Sequence, residues 1–241
     1  MPETDFGKIV GYSQFVSHDP FRNYLHYPAV SKELGNVKGK TILDVGCGDG
    51  LFSRILASQG ARVMGYDKSS EKITEAENLG SEYVTQIEYQ VASPKTFKSS
   101  LVFDSAASVM VLPYAASIDE LKEFFTSTHT SLKSGGVFAS LVFNPYFKNF
   151  NEVIGTRLFK KLDENEVEVN FLEPDTKRIM FKSLLHQYIK EDYESAAREA
   201  GFTNLTWSTL RPTEEGMAEL GGNFWKRVIE AQPYSLFSVR N

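Results

Sequence analysis

Asp44 and Asp67 are the acids in this chain whose sequence surroundings best suit ligand chemistry. Asp44 sits in the run Thr41-Ile42-Leu43-Asp44-Val45, and glycines spaced two apart follow it at Gly46, Gly48 and Gly50. A β-branched apolar run of this kind suits a strand buried on both faces. Glycines, having no Cβ, let the backbone turn tightly and come close to a ligand. Leu51 to Ala57 continues with helical spacing, so the glycines are expected in the loop that leaves the C-terminal end of a parallel strand, where open α/β sheets bind ligands. Ala61 to Asp67 reads as a second short strand ending in an acid. A carboxylate at that point can accept hydrogen bonds from both vicinal hydroxyls of a ribose, and Asp67 is expected to do so.

The surrounding elements narrow the ligand further. A dinucleotide fingerprint needs Gly-x-Gly-x-x-Gly, yet Leu51 occupies the third glycine position, and the glycine loop does not run into a lysine followed by Ser or Thr as a P-loop would. Pyrophosphate is therefore disfavoured. Lys68-Ser69-Ser70 opens a helix through Asn78 with a serine cap. Ile87 to Val91 alternates as a strand ending in Ala92-Ser93, Phe103 to Leu112 holds a further strand and its turn, and Asp119 to Ser131 reads as a helix. Val137 to Phe143 is the next strand, followed by Asn144-Pro145-Tyr146. This alternation implies a parallel sheet with helices on both faces.

The acid-x-Gly-x-Gly-x-Gly segment from Asp44 to Gly50 resembles the first motif of class I S-adenosylmethionine-dependent methyltransferases. The Asp67 strand, the Phe103 to Leu112 segment and the turn Leu132 to Phe138 resemble that family's later motifs in the same order. The resemblance implies a Rossmann-like α/β fold with a mostly parallel seven-stranded sheet, helices on both faces and an inserted antiparallel β cap. It also implies S-adenosyl-L-methionine as cofactor, S-adenosyl-L-homocysteine as product, and cofactor contacts from Tyr12, Asp44, Gly46, Cys47, Gly48, Gly50, Asp67, Lys68, Ala92, Ser93 and Ser108. Ser93 stands where the family often has an acidic adenine contact. The Cys47 thiol itself reads as a small packing residue, since methyl transfer from a sulfonium needs no covalent enzyme intermediate. The C-terminal region, with Phe224-Trp225, resembles the toxoflavin-type azapteridine N-methyltransferases, although Pro113 replaces a histidine that such proteins place before the tyrosine at Tyr114.

Residues 1–38 are rich in rings with polar tips and are expected to form a lid, with the main domain over 39–241 and the cap near 147–186. In the cap, Glu166 to Phe171 and Arg178 to His186 alternate as antiparallel strands. A helix over Glu191 to Ala200 is expected to stop at Gly201, and further strands at Phe202 to Leu210 and Tyr234 to Val239 flank a helix near Glu214 to Glu230. A flat aromatic or heterocyclic acceptor is expected against Phe15, Tyr24, Tyr114, Asn144, Tyr146 and Trp225. Tyr12, His18, His26 and His186 are candidate bases for its proton.

The net charge of −5 and pI near 5.5 disfavour a nucleic-acid partner. One cysteine and four histidines give no zinc spacing and no disulfide framework. With no 18-residue apolar run and no leader at Met1 to Asp5, the expected setting is cytoplasmic, away from membranes, with a monomer or homodimer acting on a small molecule. The reading is an enzyme that methylates nitrogen or oxygen. The alternatives are a non-catalytic S-adenosylmethionine-binding partner protein and, disfavoured by Leu51, a nicotinamide-dependent oxidoreductase.

Overall fold

The buried run Thr41–Val45 forms β1 near the middle of a seven-stranded sheet in a computed structural model that describes residues 18–83 and 85–241. The other strands are β2 (Arg62–Asp67), β3 (Ile87–Val91), β4 (Phe103–Val109), β5 (Leu132–Phe143), β6 (Val153–Ile154), β7 (Arg157–Lys161), β8 (Glu166–Leu172), β9 (Ile179–His186), β10 (Thr203–Thr209) and β11 (Tyr234–Arg240). The main sheet runs β10-β11-β5-β4-β1-β2-β3. Pairings within β1 to β5 are parallel, whereas β11 is antiparallel to both β5 and β10. The sheet is therefore mixed at one edge and parallel where the glycine loop leaves it.

A π-helical turn (Arg22–His26) leads into α1 (Tyr27–Leu34), and α2 (Leu51–Ser58), α3 (Ser70–Leu79), α4 (Ile118–Ser131), α5 (Lys190–Ala200) and α6 (Glu214–Ala231) follow. Strand alternation sends adjacent side chains to opposite faces, which divides the core in two. Ile42, Ala107 and Leu141 join Val30, Phe52, Leu56 and Trp225 on one face. Their neighbours Leu43, Ala106 and Val142 join Leu121, Phe125, Tyr193 and Ala197 on the other. Local capping agrees with the sequence: Ser69 Oγ accepts from Lys72 N at 3.2 Å, and Gly201 closes α5 at φ 106°.

The cap is a separate antiparallel sheet in the order β6-β7-β8-β9. Strands β8 and β9 follow the expected alternation. The short β6 and the Lys-ended β7 carry too little periodicity to be read locally. One cap face, with Phe159, Val167, Val169 and Leu185, packs into the core on the α1 side. Tyr114 reaches it across the main sheet, its hydroxyl lying 2.8 Å from Ser183 Oγ.

The expected lid begins outside the described residues, and Tyr12 and Phe15 lie there. Its described part is core: Phe21, Leu25, Val30 and Leu34 are buried against the sheet, and Tyr27 stacks on Phe52 at 5.2 Å. Asp19 pairs with Arg157 of β7, and both are 1% exposed. The Arg157 guanidinium lies 5.0 Å from the Phe21 ring and 4.2 Å from the Phe171 ring. The start of the chain's described part and the cap are thus joined by a buried charge pair. Among the described residues, no helix is long and apolar enough to cross a membrane, and no cluster of His, Cys, Asp and Glu could hold a metal ion.

Candidate functional site

The loop from β1 to α2 carries Gly46, Gly48 and Gly50 at φ 66°, 55° and 74°, in the left-handed region that disfavours side chains. Each position has a different neighbour. A Cβ at Gly46 would lie 2.5 Å from Val111 Cγ1, and one at Gly50 would collide with the Tyr89 hydroxyl. A Cβ at Gly48 would meet nothing within 4 Å among the described residues. The outer glycines are required by the protein's own packing, and the middle one faces open space beside a bare backbone.

Asp67, at the end of β2, holds this loop. Its Oδ2 accepts from Gly48 N and its Oδ1 from Ser69 N, each at 3.0 Å. An ionised carboxylate has further lone pairs on both oxygens, so hydroxyls approaching Gly48 can still be received. Burial pushes the Asp67 carboxyl up, opposed by these backbone N–H donors.

Asp44 is 2% exposed and accepts a hydrogen bond from Ser53 Oγ at 2.5 Å. Burial pushes it up to about 7, against the Ser53 bond and with added repulsion from Asp67 and Asp49. Asp49 is also buried, and its carboxylate accepts from Leu51 N at 3.3 Å at the start of α2. Arg54 turns to the Asp49 carbonyl oxygen at 2.7 Å. Three carboxylates thus converge on one loop, an arrangement suited to a ligand with a cationic end and vicinal hydroxyls.

Residues 42–136, which include this loop, match a methyltransferase domain family model. Over 119 residues the chain is 31% identical to the ubiquinone biosynthesis O-methyltransferase of Pelagibacter ubique, a match covering 49% of this chain and 47% of that protein. The chain spans about half the length of the curated relatives it matches. An S-adenosylmethionine-dependent methyltransferase structure from Mesorhizobium loti superposes with TM-score 0.66 at 20% identity, covering 94% of this chain and 100% of that one. This is the class I methyltransferase fold. The 1,6-didemethyltoxoflavin-N1-methyltransferase of Burkholderia thailandensis, solved with its acceptor and S-adenosylhomocysteine, shares that fold with TM-score 0.60 at 16% identity, covering 95% and 86% of the two chains. The toxoflavin-type proteins are thus one group among several structural neighbours of this methyltransferase fold.

Within that fold the remaining expected cofactor contacts separate into two groups. Ala92 donates its N–H to Asp67 O at 2.9 Å, which sets Ser93 next to the β2 end. Ser93 forms a tight turn with Thr96, whose Oγ1 accepts from Ser93 N at 2.9 Å. Lys68 follows Asp67 and is exposed. Cys47 packs as a small residue: it is 8% exposed, and a Cβ at Gly65 would meet its Sγ at 2.9 Å. Ser108 is fully buried on the face of β4 that it shares with Ala106, because residues two apart share a face. Met110, at φ 57°, and Val111, against Gly46, follow the strand. Ser53, Asp49, Tyr89 and Val111 are the loop's unforeseen neighbours. Ser53 and Asp49 are near enough in sequence to have been found as partners of a buried acid, whereas Tyr89 and Val111 come from distant strands.

The expected acceptor residues also divide. Tyr114 faces the cap through Ser183, as described above. Asn144 braces a turn, its Nδ2 donating to Gln232 O at 2.7 Å and its Oδ1 accepting from Tyr146 N at 2.9 Å, while Tyr146 points outward at 64% exposure. Trp225 is a core residue: it is fully buried, and its indole N–H donates to Gly216 O at 2.7 Å. Tyr24 donates its hydroxyl to the Glu219 carboxylate, which pushes its ionisation up to about 12. His18 is exposed. His186 stacks on Tyr188 at 5.2 Å and lines a hollow of about 340 Å³ with Ser117, Asn165 and Asp192. His26 is buried, and burial followed by Arg22 and Arg157 lowers its basicity well below that of an ordinary imidazole. That environment argues against His26 as the base for an acceptor proton.

The Asp44 environment gives a pH prediction with a definite sign. The folded carboxyl keeps its proton up to about pH 7, whereas an unfolded one releases it near 4. Between these values the folded protein binds more protons, so this group's contribution to stability falls as pH rises through that window. A ligand cation that pairs with ionised Asp44 should bind on the order of five- to tenfold more tightly at pH 7.5 than at pH 6. Titration of S-adenosylmethionine at both pH values checks this, and Asp44→Asn should flatten the difference.

Proposed function

We propose that this protein transfers a methyl group from S-adenosylmethionine to a nitrogen or oxygen of a small aromatic or heterocyclic molecule. The observation that carries the reading is Asp67 clamping Gly48 N beside a glycine whose missing Cβ leaves open space. The residues fit the cofactor in three respects: Asp67 for ribose hydroxyls, the bare Gly48 backbone for close approach, and the Asp44 carboxylate for the amino-acid end. When bound, S-adenosylmethionine supplies an electrophilic methyl on a sulfonium.

The protein's part is then alignment and exclusion of water. Tyr114, just past β4, and Ser183 of β9 tie the end of the main sheet to the cap through a hydrogen bond between their hydroxyls. Holding an acceptor in line with the methyl can contribute on the order of 7 to 11 kcal/mol to lowering the barrier. An acidic phenol or azaheterocycle loses its proton to solvent beforehand, so no strong protein base is required. The ubiquinone O-methyltransferase and toxoflavin N-methyltransferase likenesses are in keeping with acceptors of both atom types.

Isothermal titration with S-adenosylhomocysteine, beside NADH as control, tests the reading. Micromolar binding of the former alone is expected. Binding of NADH alone, or of neither, would overturn it. Within the site, Asp67→Ala should weaken S-adenosylhomocysteine binding by about 1.5 to 3 kcal/mol, the range for hydrogen bonds to a charged group. Unchanged affinity would remove Asp67 from the ribose contact.

A further inference from the structure

Ser53 is fully buried in the first turn of α2, on the helix face that carries Ala57 one turn later. A hydroxyl kept from water costs free energy unless it is paired, so a serine at this position calls for a partner. That partner is Asp44, whose Oδ2 accepts from Ser53 Oγ at 2.5 Å. The strands on either side of β1 offer this carboxylate no side-chain donor, because its register partners are Gly65 on β2 and Ala107 on β4. Among the described residues, Ser53 is the side-chain donor that Asp44 has.

A second hydroxyl stands behind the first. Tyr89 of β3 passes under the glycine loop, where a Cβ on Gly50 would lie 2.2 Å from its hydroxyl oxygen and one on Gly80 3.6 Å from it. These two glycines make room for the end of the phenol. Its oxygen is sealed from solvent and has no hydrogen-bond partner among the described residues, a condition that native folds seldom leave unmet. Burial pushes the phenol up, Cys47 and Asp44 add to this, and Arg54 and the Ser53 hydroxyl oppose it, so Ser53 lies within its reach. Ser53 Oγ directs its own hydrogen to Asp44 but keeps its lone pairs, and rotation of the Tyr89 O–H brings it to that acceptor.

We propose that Ser53 and Tyr89 are positioning residues for the cofactor, forming a relay in which Tyr89 donates to Ser53 and Ser53 to Asp44, so that this carboxylate is held ready for the cofactor's ammonium group. This deepens the methyltransferase reading and rests on it. The relay matters because the rest of the surroundings oppose a charge on Asp44: burial disfavours it, and Asp67 from β2 and Asp49 from the loop repel it. Cys47 and Tyr89 are themselves held neutral by burial, and Arg54 is engaged with the Asp49 carbonyl oxygen at 2.7 Å. A hydrogen bond donated to the ionised form favours it, and a donor that is itself receiving a hydrogen bond donates more strongly.

The test follows Asp44 directly, by carbon-13 NMR of the full chain with labelled aspartate carboxyls, the Asp44 signal being the one that Asp44→Asn removes. Ser53→Ala should raise the pH at which Asp44 titrates by about one unit, as loss of a hydrogen bond to a charged group implies. Tyr89→Phe, which keeps the ring, should raise it by less, and Ser53→Thr, which keeps a hydroxyl, should hold it near the wild-type value. Calorimetry with S-adenosylhomocysteine then reads the consequence: Ser53→Ala should bind about three- to tenfold more weakly at pH 7 and approach the wild type at pH 8.5. An Asp44 titration unmoved in Ser53→Ala or in Tyr89→Phe overturns the relay. An equal loss of affinity at both pH values, the result of a merely structural role, overturns it as well. Failure of the wild type to bind S-adenosylhomocysteine is a distinct result that removes the methyltransferase reading and the cofactor role proposed for these residues, while the carbon-13 titration still reports the hydrogen bonds themselves.

Discussion

Asp19→Ala is expected to lower the stability of this protein by about 3 to 5 kcal/mol, the cost of leaving a buried charge without its partner. Arg157 is 1% exposed and cannot turn to solvent without leaving the Phe21 and Phe171 rings. Arg157 also donates to its neighbour Thr156, at 2.8 Å to Oγ1 and 3.0 Å to the carbonyl oxygen. Those oxygens satisfy donors without balancing the charge. The double replacement Asp19→Ala with Arg157→Met should recover much of the loss, since apolar residues often replace a buried ion pair with little cost. Urea denaturation of the three variants beside the wild type measures both effects. A loss below about 1 kcal/mol for Asp19→Ala, the range of an exposed pair, would show that solvent reaches this contact.

Gly48→Val should abolish measurable S-adenosylhomocysteine binding, a loss of at least a hundredfold, while the protein remains folded. At φ 55° a side chain strains the backbone by roughly 1 to 2 kcal/mol, which a domain of ordinary stability survives. Among the described residues nothing beyond its chain neighbours lies within 4 Å of the new Cβ, so the branched side chain enters the space in which the proposed cofactor would approach the loop. Gly50→Val provides the contrast. Its Cβ would collide with the Tyr89 hydroxyl and stand 3.0 Å from Ala76 Cβ, so it should lower the melting temperature rather than act on binding alone. Calorimetric titration together with thermal melting distinguishes the two. A folded Gly48→Val variant that binds normally would remove the close-approach argument.

Much of the fold was legible because its signals are local. The runs Thr41–Val45 and Ile87–Val91 coincide with β1 and β3 residue for residue, and the expected helix from Asp119 starts only one residue early, at Ile118. Each has a clear period, a flanking glycine or a capping serine within a few residues. Gly46, Gly48 and Gly50 were legible for the same reason, since positive φ and close approach are properties of the backbone at those residues. The β6 and β7 strands were not, because a two-residue strand and a run ending in Lys160-Lys161 acquire their strand character only from pairing.

By itself, then, the amino-acid order determined the glycine loop, the acids at Asp44 and Asp67 and the alternation that builds a mostly parallel sheet, all of them set by neighbours within one turn or one strand. Tertiary structure decided which side chains face one another. Trp225 went to the core once its indole N–H met Gly216 O, Asn144 became a turn brace by reaching Gln232, and Ser108 was buried by the phase of its strand. Asp19 and Arg157, 138 residues apart, became partners only when the cap folded onto the N-terminal segment. Composition and period report whether a residue is buried, but the partner of a buried polar group depends on contacts between distant segments.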